Sequence, residues 1–193
     1  MSNEPTPGSP WDELRAWGVP EGLLDLAMFP SQLTVNGLPL PPQITLPSNW
    51  DGTAPSWRLV RDGLRRGMGV RIPHDVSIDL RQLGEAARSL SSFEVWGDLD
   101  TFTNVEVLAQ MECVRWMRLV GSKQDVDLSH LPQVESVRVE GPSLLSVSRA
   151  PRLQRLTLAR RPSDARTRAM GALVLSSTVE DLVLDEVDVD RDC

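Results

Sequence analysis

An α/β solenoid of short parallel strands, preceded by a helical and hairpin cap, is the fold class that this sequence predicts. Two observations carry the prediction. An apolar-x-x-apolar-x-apolar triplet recurs five times, as Leu90/Phe93/Val95, Val114/Met117/Leu119, Val134/Val137/Val139, Leu153/Leu156/Leu158 and Val179/Leu182/Leu184. Its starts lie 24, 20, 19 and 26 residues apart, and a period of roughly 20–29 residues marks units that stack to bury a shared core. Composition also shifts ahead of the triplets, where ten of the fifteen prolines and four of the six tryptophans precede residue 60. Residues 1–75 read as a Pro- and Trp-rich cap region and residues 76–193 as the repeat array.

In chain order, a polar tail carrying Pro5 and Pro7 leads into a helix start at Ser9 and Pro10. Ser9 can accept a bond from a free backbone amide, Pro10 suits the first helical position, and Asp12 and Glu13 complement the helix dipole. Trp11, Leu14 and Trp17 give its apolar face, and Gly18 before Val19-Pro20 ends it. A second helical run is expected over Glu21–Phe29, burying Leu23, Leu24, Leu26 and Met28 before Pro30. Leu33-Thr34-Val35 and Leu38-Pro39-Leu40 flank Asn36-Gly37, a dipeptide suited to a tight hairpin turn. Pro39, Pro41 and Pro42 confine the second arm to a sheet edge. Trp57–Arg66 is a basic amphipathic segment whose arginines read as a solvated face. Val70–Ile72 and Val76–Leu80 suggest a first irregular strand and turn, and Leu83–Leu90 looks helical.

Within the array, short strands are expected at the triplets, with Val105-Val107-Leu108, Val126-Leu128-Leu131 and Leu144-Leu145-Val147 returning along the other side. Pro162-Ser163-Asp164 can open a helix in the longest unit, carrying Ala165, Ala169, Met170 and Leu173 on one face. The acidic run from Asp185 to Asp192 suits the edge of a stack.

Two units, Leu131-Pro132-Gln133-Val134-Glu135-Ser136-Val137-Arg138-Val139 and Ala150-Pro151-Arg152-Leu153-Gln154-Arg155-Leu156-Thr157-Leu158, show the "Leu-Pro-x-Leu-x-x-Leu-x-Leu" pattern. On these residues the stretch resembles a leucine-rich repeat array of irregular, short bacterial type. Regular members place Asn eight residues after the first apolar position, where this chain has Asp98, Ser122, Pro142, Arg161 and Val187. The resemblance therefore implies an open, irregular leucine-rich-repeat-like solenoid, with a parallel β-helix as the alternative. It implies a binding surface and no particular chemistry.

Composition narrows the function classes. Two cysteines, Cys113 and Cys193, make no disulfide framework, and together with His74 and His130 they lack the paired spacing of a zinc site, so no metal or other cofactor is expected. No apolar run approaches the roughly 18 residues of a membrane span, and the first residues lack signal-peptide features, so a cytoplasmic location is the default. Nineteen of the twenty basic residues are arginine, which suggests a GC-rich bacterial genome. Gly63, Gly67 and Gly69 lack the Lys-Ser/Thr of a phosphate loop, and no nucleophile motif accompanies His74-Asp75. The Asp-Val-Asp-Val-Asp tail lacks the turn glycine of a calcium loop.

Charge is segregated along the chain. Residues 149–168 hold seven arginines against one aspartate, and residues 178–193 hold seven acidic residues against Arg191, within a chain of formal net charge −7. These segments would either neutralise one another across adjacent turns or form a bipolar binding face. Nucleic acid is a disfavoured partner, because no aromatic lies among the seven arginines to stack on a base.

The third, fifth and seventh positions of each triplet unit point to the open face. They nominate Trp96, Trp116, Arg118, Arg138, Arg155, Asp181 and Asp185 as partner-binding residues, since Trp and Arg are enriched at interface hot spots. The alternative is that both tryptophans cover the gap between array and cap. The function expected is a non-enzymatic protein-protein interaction module, specifically a bacterial immunity or antitoxin-like protein occluding its partner. The alternatives are an assembly or signalling adaptor, then an enzyme or ligand-binding protein built on His74.

Overall fold

A computed structural model of the chain describes residues 10–29, 34–35, 38–96, 102–120, 128–140, 150–159 and 177–185. Helix α1 is Pro10–Trp17, and its expected Ser9 cap lies outside the described residues. Only Glu21–Leu23 of the next expected helix is helical, as a 3-10 turn, and Ala27–Met28 forms strand β1 instead. Sheet pairing accounts for the difference: the Thr45 N–H reaches the Leu26 carbonyl at 2.7 Å, and Ala27 and Met28 pair with Ile44 and Gln43. Met28 is exposed as a result, whereas Leu23 and Leu24 are buried.

The hairpin forms where expected, with β2 (Thr34–Val35) antiparallel to β3 (Leu38–Pro39). After β4 (Gln43–Thr45) comes α2 (Ala54–Arg65), capped by the Thr53 side chain, which accepts the Ser56 N–H at 3.4 Å. The arginines of α2 do more than solvate a face, because Arg61 donates to the Gln82 carbonyl at 2.9 Å and Arg66, just past its end, to that of Gly18 at 3.1 Å.

Strands β5 (Gly69–Ile72), β6 (Ser92–Trp96), β7 (Trp116–Val120), β8 (Ser136–Glu140), β9 (Arg155–Ala159) and β10 (Asp181–Asp185) follow. The sheet order is β1-β4-β5-β6-β7-β8-β9-β10. It is parallel from β4 to β10, and only β1 is antiparallel. The chain is thus mixed α/β with an eight-stranded, mostly parallel sheet that passes residue 75 without a break.

The second and third apolar positions of each triplet lie on one strand, the first just ahead of it, and their phase sets the pairing. Phe93, Met117, Val137, Leu156 and Leu182 are successive register partners, as are Val95, Leu119, Val139 and Leu158. All of these except Leu182 are buried in one cluster that also takes in Ile44, Val70 and Ile72. Complete burial of such side chains stabilises by about 1.5–3 kcal/mol each. Behind the sheet, α2 packs on the 3-10 segment Leu80–Ser89, which in turn packs on the 3-10 segment Val105–Gln110. The expected helix over Leu83–Leu90 is therefore a 3-10 run, broken in two where Gly84 takes φ 57°.

Backbone bonds tie each strand start to the next. The carbonyl of Arg115 accepts the N–H groups of Glu135 and Ser136 at 2.9 and 3.1 Å. Glu135 does the same for Gln154 and Arg155 at 2.8 and 3.0 Å, and Gln154 for Glu180 and Asp181 at 2.8 and 3.0 Å. One side-chain clasp spans three strands, from Gln43 Nε2 to Ser92 Oγ at 2.8 Å. It passes over Gly69, where any Cβ would fall 2.9 Å from Gln43 Cγ and still nearer Ser92 Oγ.

The Asn-ladder positions, the helix expected after Pro162 and the return runs at Val126 and Leu144–Val147 lie outside the described residues. Leu128 and Leu131 are described, and both are buried.

On the return side, Asp79 holds two units together. Its carboxylate accepts the Arg81 N–H at 2.9 Å and the Asn104 side-chain amide at 2.7 Å, and its backbone bridges Thr103. The Arg81 amide first, and Asn104 second, hold the Asp79 carboxyl below its ordinary value of 3.8. A carboxyl lowered on folding contributes stability that is complete above its ordinary value and is lost as pH falls through the lowered value. Asp79→Asn should therefore lower Tm at neutral pH and flatten the acid limb of the Tm profile below about pH 4. Melts followed by circular dichroism across that range would refute this if the two profiles run parallel.

Candidate functional site on the open sheet face

Side chains alternate across a strand, so the residues between the core rows stand on the opposite face. Pairing lines them up across the sheet. One row runs Ser92, Trp116, Ser136, Arg155 and Asp181, and the next Glu94, Arg118, Arg138, Thr157 and Val183. The third runs Trp96, Val120, Glu140, Ala159 and Asp185. Arg71 on β5 extends the middle row as the partner of Glu94.

Glu94 is the electrostatic centre of this face and is only 4% exposed. Arg118 Nη1 lies 3.4 Å and Arg71 Nε 3.8 Å from its Oε1, and the Trp96 indole N–H donates to the same oxygen at 2.5 Å. The two guanidiniums, from the strands flanking β6, also lie over the Trp96 ring at 4.9 Å for Arg71 and 4.4 Å for Arg118. A buried carboxylate is tolerated because two hydrogen-bond donors, Arg118 and Trp96, and a second cation, Arg71, stand in for its water, and the indole face adds a cation–π contribution to each arginine.

Of the residues nominated by sequence, Trp96, Arg118 and Arg138 come together in the middle of the face. Arg138 is part-buried and stands opposite Arg118 in register. Trp116 differs: it is 4% exposed and packs with Leu40, which follows β3, as a small cluster apart from the main core. It is therefore covered by the N-terminal region and not presented to solvent. Arg155 and Asp181 pair with each other at 2.7 Å, both about half exposed; such a surface pair contributes about 0–1 kcal/mol. It realises the cross-turn neutralisation at one point. The Asp185 side chain lies outside the described residues, as do most of the remaining residues of the two charged segments.

Arg71 and Glu94 complete the site but were not nominated. Glu94 stands at a fifth position and could have been found there, whereas Arg71 lies ahead of the first triplet. At the strand starts, a shallow hollow of about 370 Å³ is lined by Glu135, Pro151, Arg152, Gln154, Thr178 and Glu180. Glu135 pairs there with Arg115 at 2.9 Å.

The chemistry-bearing residues elsewhere stand apart. His74 is exposed in a turn, and the neighbouring Asp75 carboxyl is held below its ordinary value by the Ser48 hydroxyl first and weakly by His74. His130 and Cys113 are exposed in separate turns. Among the described residues no three His, Cys, Asp or Glu side chains gather as metal ligands, and no helix is long and apolar enough to cross a membrane.

Two substitutions test this geometry. Glu94→Gln leaves two arginines without their shared charge and should destabilise by about 1–3 kcal/mol, discounted because both guanidiniums are partly solvated. Urea unfolding measures it, and an unchanged midpoint would remove Glu94 as the organising charge. Leu40→Ala should uncover Trp116, raising acrylamide quenching and red-shifting emission, at about 1–3 kcal/mol of stability. Equal quenching in the two proteins would refute the cover.

Compared with known protein families, curated proteins and solved structures, the chain gives no match.

Proposed function

We propose that this chain is a non-enzymatic protein-binding module. In this reading it is an irregular leucine-rich-repeat-like solenoid that acts in the cytoplasm in the manner of a bacterial immunity or antitoxin-like protein, covering the working surface of a partner. The observation that carries the reading is the open sheet face. Strands β6 to β9 turn one side to a continuous apolar core, and strands β5 to β8 hold a row of charged residues on the other. Such a surface is pre-organised: ion pairs and cation–π contacts already fix Trp96 and Arg118, so little side-chain entropy remains to be lost on binding. A flat face with rigid aromatic and arginine anchors suits a protein partner better than a small molecule, which favours a deep cavity.

The partner should be retained from source-organism lysate by the wild-type chain, and at least tenfold less by Arg138→Glu/Thr157→Arg with the fold intact. Co-expression then separates the roles. Relief of growth arrest caused by the captured protein supports immunity. Capture of a multi-subunit assembly without toxicity moves the reading to an adaptor, and equal retention by wild type and double variant removes the open face as the site.

A further inference from the structure

The two edges of the main sheet are built differently. At one end β1 is only two residues long, the kind of short strand that blunts an edge. At the other end β10 pairs with β9 along all of Asp181–Asp185 without a bulge, and among the described residues no strand lies on its outer side. The Asp181 N–H points inward, to the Gln154 carbonyl at 3.0 Å. Main-chain groups alternate in direction along a parallel strand, so the N–H and C=O of Leu182 and Leu184 point outward, a row of donors and acceptors open to another strand. Leu182 and Val183, on opposite faces of the sheet, are 39% and 41% exposed, so apolar surface is uncovered on both sides of that row. The run Asp-Leu-Val-Leu-Asp contains no lysine or proline, the residues that commonly keep an edge from pairing.

We propose that the β10 edge takes up an extended basic segment of a partner protein as an added strand, held by the outward main-chain groups of Leu182 and Leu184 and by cations beside Asp181 and Asp185. Strand addition draws its affinity from main-chain bonds and its specificity from side chains at alternate positions. Charge selects the occupant. Residues 178–193 hold seven acidic residues against Arg191, and Glu180, beside the strand start, is exposed. Asp181 already pairs with Arg155 at 2.7 Å but its side chain is 47% exposed, and a carboxylate has lone pairs for a second cation. A second copy of this chain is disfavoured, because two β10 strands paired in register, in either direction, set aspartate against aspartate. The chain's own acidic run after Asp185 meets the same repulsion. The segment recognised therefore has Lys or Arg at its first and fifth positions, around three residues suited to a strand. This surface goes beyond the open-face reading and does not depend on it, since the last strand makes the bonds with its main chain.

The test uses the full chain and a fluorescein-labelled heptapeptide, lysine-valine-threonine-valine-lysine between two glycines, against the same peptide with glutamates for lysines. Amide hydrogen exchange is read residue by residue. In the free chain the Leu182 and Leu184 amides should exchange at least tenfold faster than that of Val183, which faces β9, and saturating lysine peptide should slow them at least tenfold. By anisotropy at low salt the lysine peptide should bind at least tenfold tighter than the glutamate peptide, with the gap narrowing at physiological salt. N-methylation of alternate peptide residues should abolish binding in one frame and spare it in the other. Asp181→Asn/Asp185→Asn should weaken binding about threefold or more; if that variant disturbs the far-ultraviolet spectrum, the two methylated peptides decide. Equal affinity for the lysine and glutamate peptides, equal loss in both methylation frames, or no peptide protection of Leu182 and Leu184 overturns the proposal. Protection already present in the dilute free chain overturns it in favour of cover by the chain itself, and protection that rises with chain concentration in favour of a second copy. Failure on any of these counts leaves the open-face reading standing, because that reading is decided by Arg138→Glu/Thr157→Arg.

Discussion

Everything on the open sheet face depends on backbone carbonyls that each accept two amides of the next unit. Arg115, Glu135 and Gln154 do so at the starts of successive strands, and those bonds leave the register no freedom. A one-residue slip would send every core side chain to solvent and every charged one inward. Because the bonds are made by the main chain, they ask nothing of side-chain identity at these positions, which here are an arginine, a glutamate and a glutamine. Side chains separated by about a unit of sequence are thereby delivered to neighbouring places on one plane.

Delivery in rows makes the electrostatics local. A carboxylate with little access to solvent is normally a liability. Glu94 is sustained because register brings an arginine from each flanking strand and because Trp96, two residues on, turns its N–H to the same oxygen. The indole serves twice, as donor through its edge and as a platform through its face. The middle of the sheet face is consequently stiff, while the β9–β10 end, with the exposed Arg155–Asp181 pair and Val183, is more open to water.

Much of this was legible in the sequence, and what was not has physical causes. The triplet phase predicts register, since positions three, five and seven of successive units are the observed partners; apolar periodicity and strand pleat are the same constraint seen twice. The hairpin was legible from Asn36-Gly37 and its flanks. Glu21–Phe29 was misread as helix because its local pattern is helical, while the decisive fact is non-local: β4 offers it an edge to pair with. The cover over Trp116 was missed for the same reason, since Leu40 reaches it from a distant part of the chain. Arg71 belongs to the site through β5, which precedes the first recognisable triplet and carries only a fragment of the pattern.

The clasp from Gln43 to Ser92 over Gly69 divides the sheet into two kinds of territory. From β7 onward neighbouring units are joined at their strand starts by the same pair of main-chain bonds, alongside side-chain pairs such as Arg115–Glu135 and Arg155–Asp181, so a unit could be duplicated or lost there with each main-chain junction remade like for like. Between β4 and β6 no such exchange is open, because an inserted strand would break a bond measured to span one glycine. Growth and shortening of the chain over evolutionary time should therefore fall on the β7–β10 side, and the breadth of the sheet face can change while its anchored beginning, with Arg71 and Glu94, stays the same.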